Sequence, residues 1–247
     1  MNKIRISAVS YTNTKPFVYG LTKSPIVNEV DLCLDVPAEC ARKLVSNEVD
    51  LGLVPVAALL KIPDYQIISD FCIGADGPVN SVFIFSDRPI EEVEVLHLDP
   101  QSRTSNHLAK VLLKHYWKVN LVIKSLENEN HEQAFVEIGD RTFGKHDQYP
   151  FTYDLAAEWK NFTGLPFVFA VWASNKALPA SFINSFNEAL KYGLDHRKEV
   201  IDTLPTFDNF DIENYLIERI SYDLNSEKRE ALTLFLDLVM ALDQLIE

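Results

Sequence analysis

Glycine is scarce, with eight in 247 residues, and no GxGxxG, GxxxxGK[ST] or GxSxG pattern occurs. That leaves little room for the loops that wrap nucleotide phosphates or lift a serine nucleophile. Cysteine numbers three, an odd count without CxxC spacing, and Cys33, Cys40 and Cys72 lie in apolar or amphipathic runs. Buried, reduced thiols are expected rather than a disulfide framework or a zinc site. The six histidines form no HExxH motif, so no metal is expected. Cations are also short: 23 Lys and Arg against 36 Asp and Glu leave a net charge of −13, which repels a phosphate backbone and argues against nucleic acid. No apolar run is long enough to span a bilayer. The first residues reach polar Ser7 and Ser10 too soon for a secretory signal, so a cytoplasmic location away from membranes is expected.

What is present is an apolar content of 47%, ample for a true core. Residues 4–9, 30–36 and 49–54 read as strands, with helical patterns beginning near Pro16 and Pro37. This β-α-β-α-β order predicts an α/β fold with a doubly wound sheet. After Asp76-Gly77-Pro78, residues 81–86 read as a strand, and a second α/β unit follows with strands near 93–98, 120–124, 134–138 and 166–172. From Pro179 three long helical patterns run with little strand content. The order predicts two lobes with a cleft between them: residues 1–87 with 174–247 as a discontinuous lobe carrying a helical tail, and 88–173 as an inserted lobe. Nothing in the sequence sets an oligomeric state.

Three polar stretches stand where strands give way to helices, the place where open α/β sheets bind ligands. The first is Ser10-Tyr11-Thr12-Asn13-Thr14-Lys15-Pro16, in which Asn13 both donates and accepts without titrating. The second, Ser102-Arg103-Thr104-Ser105, opens a helix whose N-terminus suits a carboxylate or phosphate, with Arg103 as an added charge. Helix capping explains either stretch as well. The third is Ile138-Gly139-Asp140, where glycine permits close backbone approach, although a plain turn with an Asp140–Arg141 ion pair fits equally. Ser81 falls where the first unit hands over to the second.

Together these stretches, with Gly52-Leu53-Val54-Pro55, Asn80-Ser81-Val82, Glu158-Trp159 and the run Thr163 to Trp172, resemble the chorismate dehydratase family of the futalosine route to menaquinone. The resemblance covers nearly the whole chain. It implies a periplasmic-binding-protein type II fold closing on a small dianionic substrate, chorismate, without a cofactor. It further implies Asn13 and Ser81 as catalytic groups beside the reacting ring, and Ser102, Arg103, Thr104, Ser105, Ile138, Gly139 and Asp140 as substrate-binding. Two departures are Thr12, where the family often has an apolar residue, and the acidic stretch Glu127 to Glu132. None of the matched motifs supplies an obvious base apart from Asp140, so the substrate's own enolpyruvyl carboxylate is the expected proton acceptor. Two rival readings are a bilobal binding protein for a carboxylated ligand and a later enzyme of the same pathway, the latter requiring a histidine in the cleft.

Overall fold

A computed structural model describes residues 3–125 and 133–243. The chain opens with β1 (Ile4–Val9), α1 (Lys15–Lys23), β2 (Val30–Asp35), α2 (Pro37–Val45) and β3 (Leu51–Pro55), as the alternation of periods predicts. Pro16 and Pro37 stand in the first turns of α1 and α2, where the missing N–H is harmless. Cys40, Ala41 and Leu44 form the buried face of α2, while Val45 is exposed. Then come β4 (Gln66–Ala75), β5 (Val82–Ser86), β6 (Val95–Leu98), α3 (Arg103–Val111), β7 (Val122–Ser125) and β8 (Ala134–Ile138). The remainder is β9 (Phe151–Asp154), α4 (Leu155–Thr163), β10 (Phe167–Ser174), α5 (Ala180–Asp195), α6 (Arg197–Ile201), α7 (Ile212–Asn214), β11 (Ser221–Asp223) and α8 (Ser226–Asp243).

Two mixed sheets result. One has the order β11-β4-β10-β3-β1-β2 and the other β7-β6-β8-β5-β9. The fold class is α/β and two-lobed, but the strand pairing divides the chain differently from the expected cuts at 87/88 and 173/174. Val82–Ser86 pairs antiparallel with β8 and β9, so it belongs to the second sheet. Phe167–Ser174 lies between β3 and β4 in the first. Both strands are apolar almost throughout, and such a run suits the centre of either sheet, so pattern alone does not assign it. Purely parallel winding is also absent, because β10 runs antiparallel to both neighbours.

The return crossing is anchored locally. Trp159, fully buried, donates its indole N–H to the Pro166 carbonyl at 3.1 Å, and Gly164 ends α4 at φ +75° in the left-handed region that favours glycine. The tail is less helical than expected. After α5 and the short α6 come two bends, and α7 continues into a π-helical turn, Tyr215–Arg219, before β11 joins the first sheet. In this segment Phe210 stacks on Phe143 of the second lobe with ring centroids 3.8 Å apart. The tail therefore bridges both lobes.

Under the first sheet, α1 and α5 approach to backbone contact through Gly20 and Gly193. A Cβ on Gly193 would stand 1.9 Å from the Pro16 carbonyl oxygen. This crossing fixes α1, and with it the turn that precedes it, Thr12–Thr14.

Candidate functional site

The carboxyl ends of β1 and β3 and the beginning of β10 face the N-terminus of α3 across a narrow cavity of about 60 Å³. Its walls include Val9, Tyr11 and Asn13 after β1, Pro55 at the end of β3, Phe169 and Ala170 of β10, and Ile73 of β4. From the second lobe come Ser81, Val82, Ser102, Thr104, Ser105, Ile138 and Gly139. Asn13, Ser81, Ser102, Thr104, Ser105, Ile138 and Gly139 were singled out in the sequence, and they line one space. Among the described lining residues the only ionisable side chain is Tyr11, whose pKa is raised by burial against an opposing pull from Arg141.

Asn13 sits in a single 3-10 turn, Thr12–Thr14, and no side chain of that stretch caps a helix. Its polar groups are spent across the cleft instead. The Thr12 amide and hydroxyl both donate to the Asp140 carboxylate, the hydroxyl at 2.8 Å, and Tyr11 donates its hydroxyl to Gln101 at 2.8 Å. The departure at Thr12 thus touches a residue of the matched motif. The Asn13 amide nitrogen donates to the Tyr215 hydroxyl at 3.2 Å, and Tyr215 donates to Ser81 Oγ at 2.9 Å.

At the α3 terminus the capping reading holds for one residue. Ser102 is the N-cap and accepts from the Ser105 amide at 3.1 Å. Thr104 accepts from the Ala57 amide at 3.2 Å, tying α3 to the first lobe, with its hydroxyl proton left to give. The first-turn amides of Arg103 and Thr104 have no i−4 carbonyl to bond and carry the positive end of the helix dipole.

Two expected site residues do not line the cavity. Arg103 is exposed: Ser102 and Ser105, three apart, turn inward, and the residue between the cap and Thr104 points to solvent. Asp140 is held by Thr12, and its expected partner Arg141 bonds Asp99 instead. Gly139 does line the cavity, and its lack of a side chain makes room for the Tyr11 ring. It has φ +68°, a Cβ there would meet the Tyr11 ring at 2.9 Å, and its amide donates to the Ser81 carbonyl. The acidic stretch Glu127 to Glu132 lies outside the described residues.

Sequence reasoning missed the tail's tyrosines. Tyr215 links Asn13 to Ser81, and Tyr222 donates to the Asn13 carbonyl at 2.9 Å. Burial pushes the pKa of both phenols above the ordinary tyrosine value. No local signal marks them, since a tyrosine among apolar residues, Tyr215 in a helical turn or Tyr222 in a short strand, reads as core. All three cysteines are free thiols, and among the described residues no three His, Cys, Asp or Glu side chains gather as a metal site. None of the described helices is long and apolar enough to cross a membrane.

A family model described as menaquinone biosynthesis matches residues 4–241. A curated relative from Thermus thermophilus, named chorismate dehydratase, is 31% identical over 68% of this chain and 70% of its own length. Another of that name, from Campylobacter jejuni, is 27% identical over 95% of this chain and 97% of its own. Among solved structures, a protein from Archaeoglobus fulgidus superposes with TM-score 0.76 at 15% identity, covering 98% of both chains. The periplasmic aliphatic sulphonate binding protein of Escherichia coli superposes with TM-score 0.65 at 12% identity, over 99% of this chain and 94% of its own. The latter likeness shows that the two lobes form a periplasmic-binding-protein-like fold. The match across nearly the full length places this chain in the menaquinone biosynthesis family.

Proposed function

We propose that this protein is a hydro-lyase that removes water from chorismate to give 3-[(1-carboxyvinyl)oxy]benzoate, a step of the futalosine route. One observation carries the chemical reading: the cleft gathers neutral donors and a helix N-terminus around a slot whose described lining holds no carboxylate, histidine or lysine. A dianionic substrate there brings its own charge, and preorganised dipoles in a dry site act on it more strongly than water would.

In the reaction the ring C–H beside the enolpyruvyl ether breaks, and its electrons pass through the neighbouring double bond toward the ring carboxylate. The adjacent C–O bond then breaks with its electron pair, and hydroxide and the proton depart as water, leaving an aromatic ring. In this reading the amides opening α3, with the hydroxyls of Thr104 and Ser105 that line the cavity, hold a carboxylate as charge develops. In this scheme Asn13 and Ser81, which both line the cavity, hydrogen-bond to the leaving hydroxyl and orient it. Tyr11 is the sole titratable side chain in the described lining, and burial opposes its ionisation, so it does not serve as a base at neutral pH. The enolpyruvyl carboxylate of the substrate takes the proton in this scheme and passes it to the departing hydroxyl, so that water leaves and the carboxylate is restored.

The hydrogen bonds from Tyr11 to Gln101 and from Thr12 to Asp140 join the lobes over the slot, so substrate entry requires the lobes to part. Incubating the purified protein with chorismate and following the aromatic product by absorbance and mass tests the proposal. Product formation at enzymatic rates is expected. Tight chorismate binding without turnover would instead make the protein a binding module, and neither binding nor turnover would direct attention to a later pathway substrate.

A further inference from the structure

Tyr215 reaches the site from behind. It is 1% exposed, is absent from the cavity lining, and packs edge-on against Phe143 and Phe210 at centroid separations of 5.2 and 5.3 Å. Its hydroxyl carries one proton, with two polar partners in reach, Asn13 Nδ2 and Ser81 Oγ. An amide nitrogen can only donate. The phenolic proton therefore goes to Ser81, because the reverse arrangement would bury it without an acceptor. Ser81 Oγ, already accepting from Tyr215, then has its own proton free to turn toward the cavity it lines.

The same logic orients Asn13. Its Nδ2 faces Tyr215, and its Oδ1 accepts from the Thr14 hydroxyl at 3.3 Å, which leaves the second N–H for the cleft. We infer that Tyr215 is a positioning residue whose hydroxyl sets the donor direction of both Ser81 and Asn13 without touching substrate. The inference rests on reading this cleft as the dehydration site. It gives the tail, attached more than 130 residues beyond Ser81, a part in the chemistry.

The test is Tyr215→Phe, which keeps the ring and its packing and removes the hydroxyl. With chorismate as substrate, kcat is expected to fall on the order of a hundredfold from lost alignment, with KM nearly unchanged. In a Ser81→Ala background the same substitution is expected to do less, because one of its two partners is gone and only the Asn13 alignment remains to be lost. An unchanged kcat, or an equal loss in both backgrounds, overturns the proposal. A second variant carries 3,5-difluorotyrosine at position 215, keeping size and hydroxyl while making the phenol more acidic. Since a phenolate cannot donate to Ser81, the alkaline limb of kcat is expected to move to lower pH, and an unmoved limb overturns the proposal even if the phenylalanine chain fails to fold. Absence of chorismate turnover in the unmodified protein would sink the functional reading and this inference with it. Normal turnover there, with normal Tyr215→Phe, would sink only this inference.

Discussion

The two ends of the first sheet are built on opposite electrostatic plans. At the end where β1 and β3 begin, Asp50 receives the Arg5 backbone amide at 2.9 Å, the Arg5 guanidinium at 2.7 Å and the Lys176 ammonium at 2.6 Å. At the other end, where the same strands finish, the described walls of the cleft hold no charged group. The first end spends full charges on closing the sheet. The second keeps its polar groups neutral, so a bound dianion meets dipoles instead of competing counter-ions. Lost charge should therefore appear as stability at one end, and lost dipoles as rate at the other.

The largest expected effect breaks the support beneath both ends. Gly193→Ala places a Cβ 1.9 Å from the Pro16 carbonyl oxygen, and neither helix backbone can yield without moving α1 away from α5. A loss of about 3 kcal/mol is expected, seen as a fall in melting temperature of at least about 6 °C. Since α1 follows the Asn13 turn, residual activity should also fall. An unchanged melting curve would mean that the helices do not meet at these glycines.

At the neutral end, Asn13→Ala and Ser81→Ala are each expected to lower kcat by a hundredfold or more, equivalent to about 3 kcal/mol of barrier. Melting temperature should fall less than for Gly193→Ala, with Ser81→Ala the costlier of the two because it leaves the buried Tyr215 proton without its acceptor. Wild-type rates in both variants would remove these residues from the chemistry and the comparison with them.

How far this division could be read beforehand depends on how local its causes are. The strand ends that meet the ligand were legible, because Ser10 to Pro16 and Ser102 to Ser105 are polar runs inserted between apolar periodic elements. Their use was not. Thr12 looks like a cap and instead receives its partner from Asp140, 128 residues away. Arg103 looks like the counter-ion, yet helical geometry turns it outward. The missed strand β4 carries Ser69 and Asp70 at its centre, where Asn187 accepts from the Ser69 hydroxyl and the Asp70 amide. That long-range contact makes a polar pair tolerable inside a strand. Tyr215 and the lobe boundaries failed for the same reason: each is set by pairing across more than fifty residues, which no window of periodicity contains.

A smaller loss of stability is expected at the sheet's buried ammonium. Lys228 is 1% exposed and donates to the Ser221 carbonyl, the Ser221 hydroxyl and the Asp223 carbonyl, all within 2.7 Å. It fastens β11, and so the tail behind Tyr215, to α8. Burial pulls its pKa below the ordinary lysine value, with only partial compensation from Cys72 and Asp223. Lys228→Met removes the strong donor of all three acceptors, leaving the two carbonyls only the weak Cys72 thiol, and is expected to lose about 2 kcal/mol, measured by denaturant titration. Chorismate turnover at temperatures well below melting should be largely retained, which separates holding the tail from holding the substrate.

The smallest effect sharpens the contrast at the charged end. Burial by itself would raise the Asp50 pKa, but the bonds from Arg5 and Lys176 outweigh it and hold the carboxyl well below the usual range. An acid whose folded pKa is depressed contributes stability that is complete above its unfolded value, about 3.9. That contribution is lost as pH falls through the folded value. Asp50→Asn is expected to remove on the order of 1 kcal/mol near neutrality, since both partners are half exposed and screened by salt. The loss should shrink as pH drops below about 4, where the carboxyl of the unfolded chain takes up a proton that the folded one still refuses. Chevron midpoints at pH 7 and pH 3 in low salt measure the difference. Equal losses at both values would mean that Asp50 acts through shape, not charge. A matching change in kcat would mean that charge at one end of the sheet is felt at the other, a full strand length away.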